Sequence, residues 1–295
     1  MTIFQFYQKR EFGTLISDTF NFFKIYFRDF FKNYLIINGA IIFSFIVIVF
    51  LLFGTNFSQF IQSLDMGLAS AFWTLFIVFI LLMFIVLFVS CFPLAYAGVA
   101  EENSERNVFS ATEIFNKIKP MLGRMFLFGF ISIFILTIPM FIIILISYFI
   151  PIVGPLLAQG AISVFVGQLM IFYVKDKMGY FEAISKAFDI LKEDFWAKIG
   201  STIVMNMISS FIMVIVFIIP ILISFFGLLA GIESSLSEGT IIGMGLLGIV
   251  WGIAIILVFI LSNMNTFLQL MIYYSSHQDK QTYLDLEQIG KNTYE

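Results

Sequence analysis

Residues 125–174 read MFLFGFISIFILTIPMFIIILISYFIPIVGPLLAQGAISVFVGQLMIFYV, fifty residues without a charge between Arg124 and Lys175. A helix needs about 20 apolar residues to cross a hydrocarbon core of about 30 Å, so this stretch is too long for one crossing and long enough for two. Pro151, Gly154 and Pro155 fall near its middle. Proline withholds a backbone donor and glycine turns freely, so the chain is expected to reverse there. The reading is a membrane hairpin, with spans near Met125–Phe149 and Leu156–Tyr173. Runs such as FIIILISYFI are apolar on every face, which suits lipid-embedded helices and not the alternating segments of about ten residues found in a barrel.

The same reasoning extends outward. Charge-free windows place further spans at Tyr34–Phe53, Ala71–Phe92, Ile199–Leu222 and Ile241–Leu261, the last helix continuing toward Tyr274. The expected fold is therefore all-α and integral to the membrane, with six transmembrane helices. Composition agrees: 60% of the 295 residues are apolar and 12% charged, whereas soluble domains have roughly 25% charged residues. Pro139 and Pro220 lie in or at the end of spans and are expected to kink or terminate helices. No short apolar core with a small-residue cleavage site opens the chain, so the first span is expected to target the protein and remain in it.

The sixteen Lys and Arg residues assign an orientation. The segment before the first span and the second, fourth and last connections hold all of them; the other connections carry only Asp65, Glu233 and Glu238. By the positive-inside rule both termini are cytoplasmic, in a bacterial cytoplasmic membrane.

Three basic segments share a design. In the first, Leu15, Ile16, Phe20, Phe23, Phe27, Phe30 and Phe31 recur at helical spacing, opposite Asp18, Asn21, Lys24, Arg28 and Lys32. In the second, Ile114, Phe115, Ile118, Met121 and Leu122 follow Ser110 and Glu113, spaced as a capping box. In the third, Phe181, Ile184, Phe188, Leu191 and Phe195 oppose Glu182, Lys186, Asp189 and Glu193. GTLISDTF (13–20), VFSATEIF (108–115) and FEAISKAF (181–188) align, and QLMIFY (168–173) matches QLMIYY (269–274). These matches predict one membrane domain, residues 1–274, of three repeats (about 12–100, 107–175 and 180–274), then a short cytoplasmic tail, 275–295. Each repeat would be an interfacial amphipathic helix and a transmembrane hairpin, related by an axis along the membrane normal.

EAISKAFDILKEDFWAKIG (182–200), ISDTFNFFKIYFRDFF (16–31) and the pair Tyr273-Tyr274 resemble the membrane domain associated with glycerophosphodiester phosphodiesterases, a domain that also has stand-alone relatives of unknown function. Relatives often continue the Tyr-Tyr pair with Asp and Arg; here Ser275, Ser276 and His277 follow. The resemblance implies a membrane-domain fold. It implies no phosphodiesterase activity, because the residues after Tyr274 are too few to hold the catalytic domain.

The residues offer little for catalysis. No ionisable side chain lies inside a span, which weighs against proton relays and voltage sensing. Cys91 and His277 occur once each, so thiolate or His-rich metal sites are not expected. Gly248-x-x-x-Gly252 reads as helix packing. No catalytic residues, metal or cofactor are expected. The cations Lys24, Arg28, Lys32, Lys117, Arg124, Lys192 and Lys198 are candidates for lipid headgroups or partner proteins. Asn206, Asn263, Asn265 and Gln269 are candidates for a polar cavity. Nucleic acid is not an expected partner, since the basic residues are interleaved with acids beside lipid. The favoured function is a non-enzymatic scaffold or accessory subunit. The alternative is a transporter or flippase-like protein for lipids or other amphiphiles, and an intramembrane enzyme ranks below both.

Overall fold

A computed structural model describes residues 4–49, 68–103, 105–231 and 238–278. The loop between the first two spans and the tail segment 282–291, read above as a possible small helix, lie outside the described residues. The described chain is helical and contains no strand. Its elements are α1 (Phe12–Tyr34), α2 (Ala40–Val49), α3 (Leu68–Glu102), α4 (Ala111–Ser147), α5 (Val153–Met170), α6 (Tyr180–Lys192), α7 (Phe195–Gly231) and α8 (Glu238–Ser275). A π-helical turn, Leu35–Gly39, joins α1 to α2, and a second, Ile171–Lys175, extends α5.

Six helical runs are long and apolar enough to span a membrane: Phe12–Ile48, Leu75–Glu102, Ala111–Ser147, Val153–Lys175, Phe195–Phe226 and Ile249–Ser275. Large apolar side chains stay exposed along them, among them Phe134, Ile138, Phe211 and Phe225. Exposed apolar surface on helices of this length fits a lipid surround. The chain is a multi-pass helical membrane protein.

The hairpin read from residues 125–174 forms as α4 and α5, and the reversal falls at Tyr148–Ile152. Ile152 takes a positive φ of 68°. Two residues on, a Cβ on Gly154 would lie 1.9 Å from the Ser147 carbonyl oxygen, so only glycine fits where the two arms meet. Pro139 and Pro220 sit inside α4 and α7, and neither ends its helix.

The amphipathic stretches diverge from the expected pattern. Only the third is a separate helix, α6. It stops because Glu193 is extended and Asp194 adopts a left-handed φ of 48°, a conformation that short polar side chains tolerate. The second runs unbroken into its span as α4, opened by the foreseen capping box: the Glu113 amide donates to Ser110 Oγ at 3.2 Å, and the Ser110 amide to Glu113 Oε2 at 2.8 Å. The first passes into α2 through the π-turn, whose flanking residues Tyr34 and Ala40 keep helical dihedrals. Between Lys32 and Asn38, and between Met121 and Met125, the chain offers no proline or left-handed residue to stop a helix.

Contacts divide the chain into two compact units. One comprises residues 1–32, 90–208 and 263–295; the other comprises 33–89 and 209–262. The first has an aromatic core. Phe22 lies 4.5 Å from Phe267 and 4.7 Å from Tyr26, and Phe30 packs 5.1 Å from both Phe92 and Tyr96, in tilted and edge-on geometries. Phe22 and Tyr26, omitted from the apolar stripe read above, are buried, whereas Phe20 and Phe27 are exposed. In the second unit, Trp251 Nε1 donates to Ser224 Oγ at 3.0 Å, and Gly252 faces Ile46.

Candidate functional site

Within the first unit, polar side chains concentrate where the charged helix ends meet. The segment preceding α1 folds back over them. The Arg10 guanidinium is buried; it contacts Asp18 Oδ2 at 2.8 Å and donates to the carbonyls of Phe6 at 2.7 Å and Gln5 at 2.6 Å. Its backbone N–H donates to Ser275 Oγ at 2.8 Å, tying the segment to the end of α8. Burial draws the Arg10 pKa below its usual value, and the Asp18 carboxylate opposes that shift.

Beside it, Glu101 at the end of α3 collects three donors. Tyr7 donates its hydroxyl, the Lys175 ammonium lies at 2.9 Å, and Tyr274 donates at 2.8 Å. Lys175 also reaches the Tyr274 hydroxyl at 3.2 Å and stands 4.6 and 4.5 Å from the ring centres of Tyr273 and Tyr274. Tyr273 donates to Asp176 at 3.0 Å, and a ring nitrogen of His277 lies 2.8 Å from the Tyr273 carbonyl. Burial, then Glu101, pushes the Tyr7 pKa up. A cavity of about 350 Å³ opens beside this network, lined by Tyr7, Glu101, Lys117, Lys175, Asp176 and Tyr273. An ammonium and two phenols donate to the one carboxylate, so the arrangement clamps four chain segments together. Sequence reading passed over Tyr7, Arg10, Glu101 and Lys175. The legible signals were the aromatic run FQFY before the first basic pair and the Tyr-Tyr pair, but neither names its partner.

The seven candidate cations separate into two groups. Lys24, Arg28, Lys32 and Lys192 are exposed, Lys192 with its ammonium 4.6 Å from the centre of the Phe188 ring. The other three are spent within the protein. Lys198 is 4% exposed, and its ammonium reaches the Ile190 carbonyl at 2.9 Å and Glu193 Oε2 at 3.3 Å, satisfying an orphan acceptor at the end of α6. Arg124 donates to the Tyr173 carbonyl at 2.7 Å and to that of Met178, and lies 4.4 Å from the Tyr173 ring centre. Lys117 pairs with Glu102. Lys198 is buried and Arg124 half-buried, and both have backbone carbonyl partners within the protein.

The candidate polar residues also separate. Gln269 is buried, its backbone oxygen accepting from Gln168 Nε2 at 2.8 Å and its own Nε2 pointing to Thr202 Oγ1 at 3.4 Å. A Cβ on Gly167 would come within 2.5 Å of Gln269 Cγ, so α5 and α8 approach closely there. Asn263 is buried, and Asn265 is half-buried with an Oδ1 that lacks a hydrogen-bond partner among the described residues. Asn206 opens on a cavity, a groove of about 500 Å³ shared with Ser147, Tyr148, Gln159 and Ser163.

Among the described residues no group of three or more His, Cys, Asp or Glu side chains could hold a metal ion. Compared with models of protein families, with curated proteins and with solved structures, the chain matches none. The class it belongs to is therefore given by its own architecture, six membrane-length helices with a polar clamp at their charged ends.

Proposed function

We propose that this chain is a non-enzymatic membrane scaffold or accessory subunit, which engages anionic lipid and partner proteins through the charged ends of its helices. It lies in a bacterial cytoplasmic membrane with both termini inside. The observation that carries this reading is on α1 and α6. Exposed Lys24, Arg28, Lys32 and Lys192 alternate with exposed Phe20, Phe27 and Phe188. Aromatic rings seated at the acyl boundary beside cations in the headgroup layer are the pattern of an interfacial surface. Each cation near an anionic surface contributes about 1 kcal/mol.

The reading of three repeats belongs with this proposal. Asp29 and Arg124 stand sixteen positions after the aligned starts at Gly13 and Val108. Asp29 accepts from the Tyr96 hydroxyl at 2.9 Å, and Arg124 donates to the Tyr173 carbonyl at 2.7 Å, so each links the first helix of its repeat to a tyrosine on the returning helix. The likeness to the phosphodiesterase-associated membrane domain is consistent with a role that needs no catalytic set in the membrane.

Native mass spectrometry after extraction from vesicles with and without phosphatidylglycerol tests the proposal. The variant Lys24→Gln/Arg28→Gln/Lys32→Gln is expected to lose retained anionic lipid relative to wild type, and equal retention refutes the lipid half of the reading. An epitope placed between Thr55 and Gly67 is expected to be labelled from outside intact cells; labelling only after permeabilisation refutes the orientation. A second reading, a carrier for lipids or other amphiphiles, is favoured by the groove at Asn206.

A further inference from the structure

We infer that the groove between α4, α5 and α7 is a binding site for the headgroup of an uncharged, hydroxyl-bearing lipid of the diacylglycerol type. The inference goes beyond the proposed function and does not use the charged helix ends.

The groove is built by close helix approach. Gly160 on α5 faces Ile199 and Ile203 on α7, and a Cβ there would lie 2.8 Å from Ile199 Cγ2 and 2.9 Å from Ile203 Cγ1. The neighbouring Gln159 is thereby brought alongside Asn206, which stands three positions, or nearly one turn, beyond Ile203. Ile144, Ser147 and Tyr148 from α4 and its turn, with Pro155, Ile162 and Ser163 from α5, complete the lining. At 1.5 Å per residue, Gln159 lies about 9 Å along α5 from Val153, and Asn206 about 17 Å along α7 from Phe195. Both amides lie within helical runs long and apolar enough to span a membrane.

Three features identify the occupant. The side chains of Gln159, Ser163 and Asn206 make no hydrogen bond to the described protein, although Gln159 is exposed and Asn206 half-exposed. An amide facing hydrocarbon without a partner is unfavourable, so a polar group from outside the chain is required to satisfy it. The lining holds amides, hydroxyls and apolar groups and no charged side chain. A phosphate or ammonium would enter without a counter-charge, whereas hydroxyl and ester groups match amide donors and acceptors. The same helices carry exposed apolar side chains, Ile146 and Met207 among them, which suits acyl chains approaching from the membrane. A volume of about 500 Å³ accommodates a glycerol headgroup with the first methylenes of its chains.

The test uses the full-length protein in nanodiscs of phosphatidylglycerol and phosphatidylethanolamine, doped with a diacylglycerol bearing a photoactivatable group near its glycerol. Saturable labelling is expected in peptides containing residues 144–163 and 206. Unlabelled diacylglycerol should compete, and soluble glycerol should not. Gln159→Leu/Asn206→Leu is expected to weaken labelling about tenfold, as loss of two modest hydrogen bonds implies. The substitution Phe134→Leu, at an exposed position of α4 outside the groove lining, is the control. Should the double variant fail to fold, competition on wild type decides alone. Labelling that does not saturate, as in a groove holding only water, overturns the inference. So does displacement by added phosphatidylglycerol equal to that by diacylglycerol. The variant Lys24→Gln/Arg28→Gln/Lys32→Gln should retain groove labelling, so failure of the surface reading and failure of this one are distinguishable.

Discussion

The Lys175 ammonium lies 2.9 Å from a Glu101 carboxylate oxygen, and the rings of Tyr273 and Tyr274 flank the same ammonium. The pair joins the end of α3 to the end of α5 on the last turn of α8, so three membrane-length helices are held at one point. Both side chains are mostly buried, at 12% and 24% exposure, so solvent screens the pair less than it would a surface pair. Glu101→Gln should remove the negative partner and leave the cation in place, destabilising the protein by about 1–3 kcal/mol. Thermal melting in mild detergent checks this. Lys175→Met together with Glu101→Gln should cost less than the sum of the single changes; simple additivity would show that the two residues do not act as a pair.

The network also fixes a pH dependence. Burial and Glu101 raise the Tyr7 pKa, so the folded state favours the protonated phenol more strongly than the unfolded chain does, where tyrosine ionises near 10. The resulting stability is fully present below about pH 10 and is lost as the pH rises above it. Melting temperatures measured from pH 8 to 11 should fall at the alkaline end. Tyr7→Phe should lower stability at neutral pH by about 1 kcal/mol and make the alkaline fall shallower. An unchanged slope would place the sensitivity elsewhere.

Two glycines should respond in opposite directions. Gly154→Ala drives a Cβ into the Ser147 carbonyl at the turn of the α4–α5 hairpin, where neither backbone can yield cheaply. It should sharply reduce the yield of folded protein in fluorescence size-exclusion chromatography. Gly129, within α4, has open space around a new Cβ. Gly129→Ala should stabilise the helix by about 0.5–1 kcal/mol through backbone entropy. Equal effects of the two would contradict the hairpin geometry.

Lysines of similar sequence setting should differ. Lys198→Met leaves the Ile190 carbonyl without its partner at the end of α6 and should cost about 1–2 kcal/mol in thermal stability. Lys192→Ala, at an exposed position, should change stability by less than about 0.5 kcal/mol while reducing retained anionic lipid. The contrast is read by comparing melting curves with native mass spectra of the same samples.

Six membrane-length helices were legible because lipid as solvent imposes a strong, local demand: about 20 residues without charge and every backbone group bonded within its own segment. The α4–α5 reversal was legible in Pro151, Gly154 and Pro155, and the start of α4 in Ser110 and Glu113, since turns and caps are set by neighbours a few positions away. Other features were not. Nothing local in KNYLI distinguishes a helix that ends at the interface from one that continues through a π-turn, and a single left-handed residue, Asp194, decides the break after α6. Which cations stay exposed was equally hidden: Lys192 and Lys198 look alike in sequence, and only the fold buries one against the Ile190 carbonyl.

What the sequence determined by itself was the solvent, the number of membrane-length helices and the positions of several ends, because hydropathy, charge-free length and capping are properties of short segments. The tertiary structure alone decided the clamp of Tyr7, Glu101, Lys175 and Tyr274, in which Glu101 and Tyr274 are separated by 173 positions, and the groove that unites Gln159 with Asn206 and sets them apart from Gln269. Those pairings depend on how closely helices approach at Gly160 and Gly167, and so on which side chain is absent at a contact between segments far apart in the chain.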